Sequence, residues 1–211
     1  NMYNKYQKIA MTSRLGIPLI YGVDAVHGHN NVKGATIFPH NVGLGCANDY
    51  ELCKKVSKVT AVEVAATGIN WNFSPCIAIP QNEKWGRHYE GYSEHVDIVS
   101  NMGEASIIGY QTNELGSVNH SIVACAKHFI GDGATIWGTG MGNKPDKIDR
   151  GNVQISDSLI RIKYLPPYQK AIDAGVGTIM ASFNSINDLK CHANGYLFND
   201  LLKGEMGFDG F

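Results

Sequence analysis

"SIVACAKHF", residues 121–129, is an apolar run that stops abruptly on a lysine and a histidine. It is too short for an ordinary helix, and its apolar character predicts a buried strand with a polar end. The same pattern recurs on either side of it. "IPLIYGVD" (Ile17–Asp24) is a near-continuous apolar run closed by Asp24. "INWNFSPCIAI" (Ile69–Ile79) carries Asn72 and Ser74 and is interrupted at Pro75, and "GVGTIMASFN" (Gly175–Asn184) closes on Ser182 and Asn184.

Helical patterns separate these runs. One helix-like start covers Tyr3 to Ser13. In "CANDYELCKKVSKVTAVEVAATG" (Cys46–Gly68), Asn48 and Glu51 predict a capping box and Gly68 a stop, with Leu52, Val56, Val59, Val62 and Ala66 on one face. A second amphipathic helix spans Glu94 to Thr112 and turns Val96, Val99, Met102 and Ile107 inward. A third starts at Ser156 with Leu159, Ile162 and Leu165, and Pro166–Pro167 kinks or restarts it. "NGYLFNDLLKGEMGF" (Asn194–Phe208) reads as another helix, and "FDGF" (208–211) as the approach to one more strand.

Strand, loop and helix repeated at least four times predict an α/β chain with a parallel sheet. A β/α barrel and an open doubly wound sheet both gather polar strand ends on one face. No G-x-G-x-x-G follows a strand and no G-x-x-x-x-G-K occurs, so nucleotide binding lacks its usual support and the barrel is preferred.

The chain has 211 residues, 44% hydrophobic and 18% charged, with a net charge of −1. Near-neutral charge without a basic run argues against a nucleic-acid partner, and no apolar run nears the roughly 18 residues of a membrane span. Five scattered cysteines without a C-x-x-C pair read as free thiols, mostly buried. Of two N-x-S sequons, Asn72 falls in a buried strand, which leaves Asn119 as the usable one in a secreted protein. The opening "NMYNKYQ" is neither a signal peptide nor a normal initiator and reads as an excised or incomplete start.

Two clusters carry chemistry. "YGVDAVHGHNNVKGATIFPH" (Tyr21–His40) holds Asp24, His27, His29 and His40. His27-x-His29 is an acceptable start for a metal site, but Lys127 beside His128 would repel a dication, and ordinary loop histidines explain the pattern as well. The mixture Asp24, Arg87, Lys127 and His128 suits a sugar: a carboxylate accepts from hydroxyls while Arg, Lys and His donate to others. "EKWGRHYEGYSE" (Glu83–Glu94) adds Trp85, Tyr89 and Tyr92, whose flat faces suit pyranose C–H surfaces. Core packing explains these aromatics equally well, and a local ion pair with Arg87 or Lys84 explains Glu90.

"SRLGIPLIYGVDAVHG", "NFSPCIAI…KWGRHYEGYSE", "VACAKHFIGDG" and "YLPPYQKAI…GVGTIMASFNSIN" together resemble the N-terminal catalytic domain of family-3 glycoside hydrolases, the β-glucosidases and exo-acting β-glucanases. The resemblance runs from about Ser13 to Phe211. It implies that residues 1–211 are a partial N-terminal domain, an incomplete (β/α)8 TIM-type barrel without the second α/β domain. The implied activity is retaining hydrolysis of terminal non-reducing β-D-glucosyl residues, with a β-glucoside or β-glucan oligosaccharide as ligand and no cofactor or metal.

By position, Asp24 matches the aspartate that holds the outer hydroxyls, Arg87 the sugar-binding arginine, and Lys127–His128 the family's K-H pair. Phe183 stands where many relatives have a tyrosine close to the nucleophile. His27, His29 and His40 then become loop-structuring residues. The N-acetylglucosaminidase branch reads K-H-F-P-G-H-G, whereas this chain reads "KHFIGDG" with Asp132, which favours the glucosidase branch. The nucleophile aspartate is expected just after Phe211 and the acid/base glutamate further on, so residues 1–211 alone are expected to be inactive. A non-catalytic sugar-binding remnant is the alternative, and the family points to a secreted, lysosomal or vacuolar setting.

Overall fold

The computed structural model describes residues 2–112, 114–141 and 147–211. In chain order these form α1 (Met2–Met11), β1 (Gly22–Val23), α2 (Asn41–Ala47), α3 (Tyr50–Ala66), β2 (Trp71–Asn72), α4 (Val96–Gln111), β3 (Val123–Phe129) and β4 (Asn152–Val153). They continue with α5 (Asp157–Leu159), α6 (Pro166–Asp173), β5 (Thr178–Ala181), β6 (Ser185–Ile186) and β7 (Leu189–Lys190). A π-wound segment, Tyr196–Glu205, follows.

Strands β1, β2, β3 and β5 lie side by side in that order, all parallel, with Gly22 opposite Trp71, Trp71 opposite Val123 and Cys125 opposite Thr178. Helices connect successive neighbours, as parallel pairing demands. The sheet is curved. Trp71 on β2 donates from Nε1 to Thr178 Oγ1 on β5 at 2.9 Å, although a flat sheet would hold those strands about 10 Å apart. This is an arc of a β/α barrel with its helices outside, the fold class that the alternation implies. Phe211 lies along the free edge of β5, its oxygen accepting from Ile179 N at 3.0 Å.

Several local expectations need correction. Of "IPLIYGVD", only Gly22–Val23 joins the ladder, and Ile17, Leu19, Ile20 and Tyr21 are exposed. β1 has a partner on one side only among the described residues, and the Gln7 amide of α1 binds both backbone groups of Leu19, at 2.6 and 2.8 Å. In α3 the inward face is Cys53, Ser57, Thr60, Ala61 and Val64, whereas Leu52, Val59 and Val62 are exposed. The reason is close approach to α4: a Cβ at Gly109 would stand 2.5 Å from Lys54 O and 2.6 Å from Ser57 Cβ, so small side chains face that helix. The α3 cap is Asp49, accepting from Leu52 N, and not Asn48.

α5 runs into wide π turns over Ile160–Tyr164, which shift the helical phase. Ile160, Tyr164 and Leu165 consequently face inward and Ile162 is exposed. The small sheet β4-β6-β7, with β4 and β6 parallel and β6 and β7 antiparallel, is an addition to the expected pattern, because two-residue strands leave no periodic signal. The interruption at Pro75 is real: β2 ends at Asn72 and one further bridge joins Cys76 to Lys127. Asn72 is fully buried and Asn119 exposed.

All five cysteines are free, and four are buried. Burial pushes the Cys76 thiol up to about 12, helped by the charges of Asp132 and Glu90. The expected result with a chromogenic disulfide reagent at neutral pH is that only Cys46 reacts promptly in the folded protein, the rest after denaturation.

Candidate active site

The polar strand ends meet on one side of the sheet. Asp24 follows β1 directly, and its neighbour Ala25 is pinned by Asn72 of β2, whose side chain accepts from Ala25 N at 2.9 Å and donates to Ala25 O at 3.0 Å. Lys127 of β3 extends its ammonium to Asp24 Oδ1 at 2.9 Å. The lysine side chain is 3% exposed and the aspartate 61%, so a buried cation presents a carboxylate to solvent.

A regular strand would send consecutive side chains to opposite faces. The register of β3 against β5 shifts between Lys127 and Phe129, leaving His128 out of the ladder. His128 thereby faces Arg87 and Asp132: Arg87 Nη2 lies 3.1 Å from His128 Nε2, and His128 Nδ1 lies 2.6 Å from Asp132 Oδ2. Arg87 is held in turn by Glu90 through two bonds, Nε to Oε1 at 2.8 Å and Nη2 to Oε2 at 2.7 Å. The loop carrying them is tied down by Gln81 N donating to Gly133 O (2.8 Å) and by Asn41 Nδ2 donating to Glu90 O (2.8 Å). A cleft of about 230 Å³ opens here, walled by Trp85, Arg87, His128, Asp132, Phe183 and Asn184. A larger cavity of about 440 Å³ lies against α1, but Tyr3, Tyr6, Leu19, Tyr21 and Ile69 make it mostly apolar, and among the described residues no charged side chain lines it.

The two charged partners perturb each other. Burial alone would lower the Arg87 guanidinium, yet hydrogen bonding and charge from Glu90 hold it above its ordinary value. Burial would raise the Glu90 carboxyl, but Arg87, then Lys127 and His128, hold it below the usual carboxylate range. A carboxyl depressed in the folded state stabilises the fold above its unfolded value, near 4.5, and loses that contribution as pH falls further. Glu90→Gln is therefore expected to lower stability at pH 7 by about 1–2 kcal/mol, discounted for the partly exposed arginine, with the gap from wild type closing in acid. Urea unfolding at pH 7 and at pH 3.5 measures it.

The structure thus brings Asp24 to Lys127 and Arg87 to His128. Phe183 stands at the cleft rim, largely exposed, with its ring 6.1 Å from that of His192. The aromatics divide. Trp85 is buried in the cleft wall, Tyr89 meets the His40 ring edge-on at 4.6 Å, and Tyr92 is a core residue whose hydroxyl pairs with Ser106 at 2.7 Å. For Tyr92 core packing is the right account, and Glu90 makes the local ion pair with Arg87. His27 bonds Phe38 O through Nδ1 at 3.0 Å and stacks on His40 at 4.0 Å, and buried His29 bonds Thr67 Oγ1 at 3.1 Å. Among the described residues no three His, Cys, Asp or Glu side chains are grouped to hold a metal ion. The anchoring roles of Asn41 and Asn72 had no sequence signal beyond a polar residue at an element's end.

Residues 1–211 match the family model described as Glycosyl hydrolase family 3 N terminal domain. The chain is 34% identical to a lysosomal beta glucosidase of Dictyostelium discoideum over 100% of its own length and 25% of that protein's. It is 30% identical to a periplasmic beta-glucosidase of Salmonella typhimurium, covering 96% of this chain and 25% of the other. Among solved structures it matches an exo-1,3/1,4-beta-glucanase of a Pseudoalteromonas species at TM-score 0.89 and 42% identity, covering 100% of this chain and 26% of that one. A beta-glucosidase of Listeria innocua, solved in complex with glucose, matches at TM-score 0.86 and 34% identity, over 99% of this chain and 27% of that one. The chain spans about a quarter of the length of these relatives.

Proposed function

Since its whole length matches that domain, the chain belongs to the glycosyl hydrolase family 3 N-terminal domain family, and we propose that it grips the terminal glucosyl unit of a β-glucoside or β-glucan for retaining hydrolysis. The observation that carries this reading is the paired constellation at the strand ends. Asp24 offers solvent-facing acceptor oxygens on a buried lysine, while Arg87 and His128 line an adjoining polar cleft. Sugar hydroxyls both donate and accept, so a carboxylate beside fixed donors suits vicinal pairs of them. Such groups orient the sugar, and the bonds from its hydroxyls to the Asp24 carboxylate strengthen as positive charge develops at the anomeric carbon, which is transition-state binding without proton transfer.

Retaining hydrolysis also needs two carboxyl groups about 5–5.5 Å apart, one to attack and one to protonate the leaving oxygen. Among the described residues, each of these carboxylates has a basic partner: Asp24 has Lys127, Glu90 has Arg87, Asp132 has His128 and Asp149 has Arg150. In this reading the nucleophile comes from residues following Phe211, whose backbone already runs along the β5 edge, and the acid/base glutamate from further on. In the same reading Phe183, at the cleft rim, would stand near that nucleophile without the hydroxyl a tyrosine would bring.

The 211-residue chain, purified from a host lacking β-glucosidases, is expected to bind glucose in saturation-transfer NMR and to leave an aryl β-glucoside intact. Turnover lost on Asp24→Asn would place the chemistry inside residues 1–211 and sink the division of labour. Absence of glucose binding by the folded chain would sink the gripping role.

A further inference from the structure

We propose that Asp132 is a positioning residue that fixes His128 as the Nδ1-protonated tautomer, so that Nε2 meets the bound sugar as an acceptor; this rests on the glucosyl-gripping reading above. The geometry admits one proton assignment. Arg87 Nη2 stands 3.1 Å from His128 Nε2, and a guanidinium carries donors only. Nε2 therefore accepts, and the ring proton lies on Nδ1, which donates to Asp132 Oδ2 at 2.6 Å. Both side chains are only 10% exposed, so water competes little for either.

The carboxylate is aimed by its backbone. Gly131, at φ +85°, turns the chain into the single turn Asp132–Ala134. A Cβ at Gly133 would stand 2.8 Å from both Ile79 O and Pro80 Cα, so this turn is seated flush on the neighbouring segment. On the other side Glu90 clamps Arg87. Without ligand, the imidazole is held between Asp132 as acceptor and Arg87 as donor.

This arrangement selects for a hydroxyl. A hydroxyl that displaces the direct contact between Arg87 and His128 accepts from Nη2 and donates to Nε2, so it replaces the lost bond with two. A fluorine that displaces the same contact accepts from the arginine only and leaves the Nε2 lone pair, which has lost Arg87, without a donor. With the opposite tautomer, Nε2 would carry a hydrogen and the fluorine would be tolerated. Discrimination at one sugar position thus depends on Asp132, a residue that need not touch the sugar.

The test has two parts on the full 211-residue chain. In ligand-free protein, nitrogen-15 correlation spectra are expected to show His128 protonated on Nδ1 and bare on Nε2. Asp132→Ala is expected to move the proton to Nε2, while Asp132→Asn, which keeps an accepting oxygen, retains the original tautomer. With singly deoxyfluorinated glucoses, one member of the set is expected to bind wild type about tenfold more weakly than the others relative to glucose. That gap is expected to collapse in Asp132→Ala and persist in Asp132→Asn. Wild-type His128 protonated on Nε2, or a folded Asp132→Ala with unchanged tautomer and unchanged discrimination, overturns the proposal. If Asp132→Ala does not fold, the wild-type and Asp132→Asn spectra decide. A wild type that binds no glucose refutes the sugar reading, while its tautomer still judges the role of Asp132.

Discussion

Asp24→Ala is expected to destabilise the chain more than Lys127→Met, although Asp24 is the exposed member of the pair. The reason is what each change leaves behind. Lys127→Met keeps the buried aliphatic stem and leaves a carboxylate that is 61% exposed and readily hydrated, at a cost of no more than about 1 kcal/mol from the lost ion pair. Truncating Asp24 leaves an ammonium that is 3% exposed without its counter-charge, and breaking a pair in that way costs about 3 kcal/mol or more. The double variant Asp24→Ala/Lys127→Met, which removes both charges and keeps an aliphatic stem, is expected to recover much of that loss. Urea midpoints of the wild type, both single variants and the double variant measure the coupling. Equal destabilisation by the two single variants, or no recovery in the double, contradicts the account. Both single variants are expected to weaken glucose binding about tenfold or more, since each removes a charge-assisted partner for sugar hydroxyls.

Phe129→Ala is expected to lower folding stability by about 3–5 kcal/mol, the range for emptying a buried aromatic site. Phe129 is 0% exposed, packed edge-on against Tyr168 at 4.9 Å and tilted against Phe198 at 5.6 Å. It thus ties the end of β3 to α6 and to the π-wound segment. Its carbonyl also accepts from Ser182 N at 2.6 Å, linking the strand end to the segment that carries Phe183 and Asn184. Phe129→Leu keeps most of the volume and is expected to cost about 1.5 kcal/mol or less. Comparison of the two by denaturant unfolding separates loss of volume from loss of the strand end. A Phe129→Ala variant as stable as wild type would mean that the β3 end is held by its backbone alone.

The alternation of strand and helix was legible because burial imposes it chemically. Buried strands must be apolar and short, and surface helices must repeat their apolar residues every turn. Asp24, Asn72, Lys127 and Asn184 could be placed at strand ends for the same reason: a charge or amide cannot continue a buried run without a partner. Helix faces were less legible. The Leu52, Val59 and Val62 stripe of α3 looks like a core face, yet the close crossing with α4 at Gly109 selects the Cys53 and Ser57 side instead. The phase of α5 escapes the sequence pattern too, since π turns obey neither helical nor strand periodicity.

Composition and spacing, read alone, thus determined an α/β chain of repeated units with its polar residues at the strand ends, and the motifs they form carried the family resemblance. Only the tertiary structure decided the pairings. Lys127 meets Asp24 across 103 residues and His128 meets Arg87 across 41, and no local pattern encodes which distant partner a charge will find. Nor does any local rule turn two consecutive strand residues toward neighbouring partners at one strand end. That follows from the register shift between β3 and β5, a consequence of how the strands pack against each other.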